Sequence, residues 1–389
     1  MAGTNGKGSV CAYLQSILME AGYRVGLFIS PHLETMRERI SINGEMISEK
    51  DFVRHFEKLK AYADREKNEA GHPSFFEFLF LMAMSYFDEQ CLDYVILETG
   101  LGGRLDATNC ISNPQLCIIT EIGFDHMQYL GNTLEEIAGE KAGIIKAHVP
   151  LVYLDKRPQT SRVLEAVASE KKARTVPVEK SQIQNVTMRK KTIDFSFFSS
   201  YYNYNGLVLH TVAPYQTENA ALAIAAAEEL QDSRITGEAV RKGLCNAFWP
   251  GRMEEILPNV YLDGAHNEDG IEAFLEAVRQ QKEGRTFLLF GVVADKQYHK
   301  MIAQIAGAGL FEHIAVTVLE SERSAAIDKL KVDWEQYKNV NCSFHKSAEE
   351  AFCYLTSMQN ATDTIYIAGS LYLVGQIKTL VRRTSDDRL

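Results

Sequence analysis

Ala2-Gly3-Thr4-Asn5-Gly6-Lys7-Gly8-Ser9 places three glycines and a lysine in eight residues, and a helical pattern starts directly after it. Val10, Leu14, Ile17, Leu18 and Ala21 fall on one face of that helix, and Gly22 is suited to end it. Glycines let backbone N–H groups wrap a phosphate, the helix N-terminus adds donors, and Lys7 adds a point charge. The general phosphate-loop spacing is not matched, because Gly8 separates Lys7 from Ser9. A glycine-rich turn that binds nothing is the alternative reading of the loop taken alone.

Outward from the loop, Val25–Ile29, Tyr94–Leu97 and Leu116–Thr120 are near-continuous apolar runs, as expected of strands buried on both faces of a parallel sheet. Thr133 and Glu136 make a capping-box pattern before a further helix, and the apolar stretch Phe75–Met84 reads as a buried helix. The first half is therefore expected to be a phosphate-loop-type, mostly parallel α/β domain over residues 1–250. Between Gln184 and Thr211 the pattern turns to alternation (Ile193, Phe195, Phe197), with Asn205-Gly206 as a hairpin signal, so a small antiparallel subdomain is expected there. Trp249-Pro250-Gly251-Arg252 opens a linker placed at 251–259. Strands at Val260–Leu262, Phe287–Phe290, Ile314–Val318 and Ile365–Ala368 predict a smaller, Rossmann-like α/β domain over 260–389. Only Met1 and Ala2 precede the loop, although a phosphate loop needs a strand feeding it. The expectation is that this sequence starts late, as a misassigned start codon would cause, and that the upstream reading frame encodes an apolar strand ending at residue 2.

The 389 residues are 46% apolar and 24% charged with a net charge of −10, a globular composition that argues against nucleic acid as a general partner. No apolar run reaches the ~18–20 residues that span a bilayer. Seven cysteines without a CxxC pair fit reduced thiols in a cytoplasmic protein.

Three polar groups follow three of the predicted parallel strands: Ser30 with Pro31 and His32, Glu98 before Gly100, and Asp125-His126. Open α/β sheets bind ligands at that edge. Mg²⁺ takes oxygen ligands and shares its shell with phosphates and water, which suits Ser30 and Glu98 with one neutral histidine, His126. Lys141 shares a helix stripe with Ile137 and Ile145. Such a lysine either snorkels at the surface or is a buried amine with a lowered pKa, able to take up CO₂ as a carbamate; the pattern fits both.

In order along the chain, GTNGKGS (3–9), Ser30-Pro31-His32-Leu33, Glu38-Arg39-Ile40, Ser74-Phe75-Phe76-Glu77, ETGLGGRLDATN (98–109), Gly123–His126 with Leu130-Gly131, EKAGIIK (140–146), Asn219-Ala220-Ala221, Pro250-Gly251-Arg252, DGAHN (263–267) and GSLYLVG (369–375) resemble folylpolyglutamate synthase/dihydrofolate synthase of the Mur ligase superfamily. The resemblance implies an ATP-driven ligase that makes an acyl phosphate on dihydropteroate or on the γ-carboxyl of a folate and joins it to L-glutamate. By resemblance, Gly3, Thr4, Asn5, Gly6, Lys7, Gly8 and Ser9, with Asn219, Arg252 and Asp263, contact ATP. Ser30, Glu98 and His126 hold Mg²⁺, and Lys141 is the carbamylated lysine. His266, as a catalytic group, and Ser370 lie near glutamate. Ser74, Phe75, Phe76, Glu77, Arg104 and Asp106 contact the pterin-bearing substrate. The resemblance further implies a cytoplasmic monomer with small-molecule substrates and neither nucleic acid nor membrane as partner. Arg104–Asn109 is more like enzymes with both activities. One departure stands out: the family's Asp-Lys-Asp run followed by Met is Asp295-Lys296-Gln297 here, with Met301 further on.

Overall fold

The computed structural model describes residues 1–65, 71–281 and 283–386. The first domain begins with α1 (Lys7–Glu20), β1 (Val25–Phe28), β2 (Ile40–Ile42), β3 (Glu45–Met46), α2 (Glu49–Arg65), α3 (Phe75–Asp88) and β4 (Tyr94–Leu97). It continues through β5 (Cys117–Ile119), α4 (Met127–Leu130), α5 (Leu134–Ala142), β6 (Leu151–Asp155), α6 (Pro158–Glu170) and β7 (Thr175–Glu179). Its last elements are β8 (Ile183–Met188), β9 (Ile193–Phe198), β10 (Asn203–Leu209), α7 (Gln216–Glu229) and α8 (Gly237–Asn246). The second domain holds β11 (Arg252–Leu257), β12 (Val260–Asp263), α9 (Glu268–Gln281), β13 (Thr286–Phe290), α10 (Tyr298–Ala308), β14 (His313–Thr317), α11 (Ile327–Trp334), β15 (Cys342–His345), α12 (Ala348–Met358), β16 (Thr364–Ala368) and α13 (Leu371–Asp386).

The first domain has a sheet ordered β3-β2-β1-β4 and a parallel one ordered β5-β6-β7. β1 runs parallel to β4. Met1 and Ala2 lie between the two sheets and pair with both. The Met1 amino group donates to Leu97 O at 2.7 Å and Thr99 N donates to Met1 O at 2.9 Å. On the other side Ala2 N donates to Ile118 O and Thr120 N to Ala2 O, both at 2.9 Å. The loop at residues 3–6 therefore leaves from the middle of the combined sheet, between the C-terminal ends of β4 and β5.

α1 is buried nearly all round, wedged against α7 and α8. The alanine run of α7 favours helix and keeps its surface low, so the two helices approach closely. At Gly243 of α8 an added Cβ would lie 2.5 Å from the Cα of Ile17. The core of this layer, with Ile17, Leu18, Phe195, Phe197 and Leu244, holds α1 rigidly behind its own N-terminus.

The antiparallel subdomain is present as β10-β9-β8, but Asn205-Gly206 is not its turn. Those residues sit inside β10 at a register shift, with Gly206 at φ 66°, and the chain reverses at Ser199–Tyr202. A left-handed glycine serves a bulge as readily as a hairpin, and the short pattern could not tell them apart. The segment read as linker is also different: Arg252–Leu257 is a strand, antiparallel to β12 at the edge of the second sheet. That sheet is ordered β11-β12-β16-β13-β14-β15 and is parallel from β12 onward. α3 is amphipathic rather than wholly buried, with Phe75 and Leu81 exposed.

Candidate active site

The site grows from the phosphate loop. Gly6 caps α1 at φ 86° and has no side chain to offer, so the first N–H groups of the helix face outward. A Cβ on Gly6 would lie 2.3 Å from Asn219 Oδ1, and one on Gly8 would lie 2.5 Å from the Trp249 ring. Both glycines are thus fixed by close approach of neighbours. Lys7 folds back over the loop, donating to Gly3 O and Thr4 O at 3.2 Å each and lying 4.0 Å from Glu98. Thr4 Oγ1 donates to Gly123 O and accepts from Gly123 N, and Thr120 Oγ1 donates to Asn5 O, so the loop after β5 clamps the phosphate loop. Ser9 is buried and its hydroxyl accepts from Gln216, which in turn accepts from Asn219. Gln216 was not legible as a site residue, although its i, i+3 spacing to Asn219 places both on one face of α7.

Glu98 sits at the end of β4, 3% exposed, and accepts a hydrogen bond from Ser30 N at 3.1 Å. Burial raises its pKa, and Lys7 is the nearest charge opposing that. His126 has left-handed backbone (φ 51°) at the start of α4, and burial lowers its pKa to about 4, leaving a neutral imidazole at pH 7. Beside it, Asp125 is held well below the usual carboxylate range: burial opposes this, but His266, Lys296 and His126 outweigh it. Among the described residues no three His, Cys, Asp or Glu side chains gather as a metal cage. Mg²⁺ takes much of its shell from phosphate and water, and the buried Glu98 carboxylate at the end of β4 is an oxygen donor of the kind it accepts.

Lys141 resolves the two readings of its stripe. It is 3% exposed and its Nζ donates to Gly3 O at 2.8 Å, so it is a buried amine beneath the phosphate loop. Burial, then Lys7, lowers its pKa to about 7.

The second domain closes the site. Asn5 and Asn267 exchange amide hydrogen bonds at 3.2 and 3.0 Å, and Asn267 also donates to Asp125. Lys296 pairs with Asp125, and His266 Nε2 lies 3.6 Å from it. Asp263 is buried and accepts from Tyr215 Oη at 2.7 Å, Met253 N and Ala265 N, beside Arg252. Together these place Asn5, Lys7, Glu98, His126, Lys141, Asn219, Arg252, Asp263 and His266 around one cleft between the domains. A cavity with about 350 Å³ of solvent space continues from Ser9 between Tyr13, Trp249, Arg252 and Tyr261. Ser370 starts α13 at the end of β16, buried, with its hydroxyl accepting from Tyr372 N.

The residues expected to contact the pterin-bearing substrate lie at the start of α3 and in the loop after β4. Ser74 and Glu77 cap each other at the exposed start of α3. Phe76 packs where a Cβ on Gly100 would be, and Phe75 is exposed. Arg104 is paired with Glu140. The Asp106 carboxylate accepts from Gly100 N, Leu101 N, Thr108 N and Thr108 Oγ1 and so shapes this loop.

Residues 1–227 match the family pattern of the Mur ligase middle domain, and residues 251–371 match that of the Mur ligase glutamate ligase domain. The dihydrofolate synthase/folylpolyglutamate synthase of Bacillus subtilis (strain 168) is 37% identical over 390 residues, covering 97% of this chain and 89% of its own. The chain belongs to the folylpolyglutamate synthase/dihydrofolate synthase family of Mur ligases. Its fold agrees with that of E. coli FolC in complex with DHPP and ADP at a TM-score of 0.88 (30% identity, 99% of this chain and 88% of that one). It agrees also with Mycobacterium tuberculosis folylpolyglutamate synthase complexed with ADP at 0.90 (28% identity, 98% and 89%). As in these ligases, two α/β domains face one another across the cleft. Among the described residues, no helix of this family member is long and apolar enough to cross a membrane.

Proposed function

We propose that this ligase couples ATP cleavage to the joining of L-glutamate to dihydropteroate or to the γ-carboxyl of a folate. The observation carrying this reading is that the phosphate loop, the buried Glu98 with Ser30 N–H on it, and the 263–267 segment of the second domain meet in one cleft, with a cation on each domain. Relatives named for these two activities, and a structural neighbour holding DHPP and ADP, support it.

A carboxylate and an amine do not condense unaided in water. The substrate carboxylate oxygen attacks the γ-phosphorus of ATP and ADP leaves. The glutamate amine then attacks the acyl carbon, loses a proton, and inorganic phosphate leaves. The protein contributes positioning and charge. The loop N–H groups and Lys7 cradle the phosphates, and Asn219 and Arg252 flank them. Asp263 orders the hinge side by binding Met253 N and Ala265 N. Ser30, Glu98 and neutral His126 would hold Mg²⁺, which offsets phosphate charge when bound. Lys141, with its pKa near 7, has a large neutral fraction at physiological pH; a neutral amine adds to CO₂ to give a carbamate and a proton, turning a cation into an oxygen donor. His266 and Ser370, on the second domain, face the amine substrate.

The test is phosphate release measured with ATP and each substrate omitted in turn. Release that needs both L-glutamate and a pteroate or folate acid is the expected result. Release from ATP alone, at an undiminished rate, would refute the assignment.

A further inference from the structure

Arg39 is a buried cation that the chemistry above leaves without a task. It lies immediately before β2 and is 8% exposed. Its Nε donates to His32 Nδ1 at 2.8 Å. Burial, then the Arg39 charge, pushes the His32 imidazole below its ordinary pKa and keeps Nδ1 an acceptor. The guanidinium lies 5.5 Å from the centre of the Phe75 ring. Among the described residues its two terminal nitrogens have no hydrogen-bond partner and no carboxylate within ion-pair distance. The acids nearest in charge are committed elsewhere. Glu38 accepts from the N–H groups of Leu33, Glu34 and Thr35, and Glu98 accepts from Ser30 and faces Lys7.

The terminal nitrogens of this guanidinium are unpaired among the described residues but not sealed from solvent, so they are free to take an anion. Two neighbours say which anion fits. His32, which holds Arg39, follows Ser30 by two residues; Ser30 N–H binds Glu98, and Lys7 of the phosphate loop lies 4.0 Å from the same carboxylate, so Arg39 approaches the end of β4 from the β1–β2 side. A carboxylate about to take the γ-phosphoryl group would lie on that side. Phe75, exposed beneath the guanidinium, offers a flat face for an aromatic ring attached to that carboxylate. Two free N–H groups in one plane match both oxygens of a carboxylate.

We propose that Arg39 binds the carboxylate of the acyl substrate, the group that becomes phosphorylated, and selects an aryl-linked acid over its neutral amide. This rests on the acid-activating reading above, and the two are separable because binding can be read without turnover.

The probes are pteroic acid and its carboxamide, with binding measured by calorimetry on the whole chain. Wild type is expected to prefer the acid by about 10- to 100-fold, the range of a charged hydrogen-bonded pair. Arg39→Gln should bind both alike, with Arg39→Lys between. In turnover, Arg39→Gln should raise KM for the acid while leaving KM for ATP and glutamate within about threefold. Equal affinity of wild type for acid and amide overturns the proposal, as does a preference surviving in Arg39→Gln, or a rise in KM confined to glutamate. Should Arg39→Gln fail to fold, the wild-type comparison and Arg39→Lys still decide. Loss of the ligase reading is seen separately, as phosphate release indifferent to acid and glutamate.

Discussion

Lys141 Nζ donates to the carbonyl oxygen of Gly3 at 2.8 Å, which joins the end of α5 to the first glycine of the phosphate loop across 138 residues of chain. An amine so placed is costly to keep charged. Burial lowers its pKa from 10.5 to about 7. Between those values the unfolded chain binds a proton that the folded chain has released, so this group makes stability rise with pH across that window. Below about 7 the full cost of burying the charge is present. Lys141→Met should therefore gain stability relative to wild type at about pH 6, with the difference shrinking toward about pH 9. Denaturant melts across that range test it, and a pH-independent difference would contradict the assignment. The same variant is expected to lose ligation, and wild type freed of CO₂ and bicarbonate should slow reversibly.

Glu98 supplies a buried carboxylate whose pKa is raised by burial. Its charge costs stability, increasingly so as pH rises from the unfolded to the folded pKa. Glu98→Gln keeps the shape and removes the charge. We expect at least a 10²-fold fall in kcat, of the size seen when one electrostatic group is removed, with Tm unchanged or raised. A chelator should stop phosphate release in wild type. Normal turnover by Glu98→Gln would remove Glu98 from the metal site.

Gly6→Ala is expected to strike the loop twice. Its φ of 86° disfavours a Cβ, and that Cβ would lie 2.3 Å from Asn219 Oδ1. KM for ATP should rise by tenfold or more, and stability should fall by about 1–2 kcal/mol. Titration of a nucleotide analogue and a thermal melt read the two effects, and unaltered nucleotide affinity would mean that the loop does not touch the phosphates.

Arg157 ties the domains together at the site. It donates to Ile122 O at 2.6 Å and, through both terminal nitrogens, to Asp269 on α9 at 3.2 and 2.6 Å. The pair is partly buried, so a double-mutant cycle of Arg157→Ala and Asp269→Ala should give a coupling of about 0.5–3 kcal/mol in kcat/KM. Additive effects of the two changes would show that the pair does not hold the closed arrangement.

Gly243→Ala tests the packing behind the loop. The added methyl would meet the Ile17 backbone at 2.5 Å, which can yield only by moving α8 away from α1. A loss of about 1–3 kcal/mol is expected. Chemical denaturation measures it, and a neutral result would show that α1 and α8 are less tightly packed.

Much of the sheet was readable because buried parallel strands leave continuous apolar runs, as at Val25–Phe28 and Phe287–Phe290, whereas the apolar run Tyr94–Leu97 leaves Val95 exposed and is not buried on both faces. The Lys141 stripe was also visible, but periodicity places a side chain on a face without saying what covers that face. The same limit explains the misreadings. Asn205-Gly206 and Arg252–Leu257 carry local signals shared by turns, bulges and edge strands, and the partner strand decides among them. At Asp106 the local pattern did not show that the carboxylate accepts four hydrogen bonds from its own loop.

By itself the sequence determined the chemistry on offer: a glycine loop with a lysine, polar groups after parallel strands, and the order of motifs that marks the family. Only the tertiary structure decided the company each group keeps. That Asp125 faces Lys296, 171 residues away, that Gln216 links Ser9 to Asn219, and that Arg39 meets His32 and no carboxylate among the described residues are facts of which distant elements pack together. Charge and hydrogen-bond energies depend on separations of a few ångströms between such elements, and local residue patterns do not encode those separations.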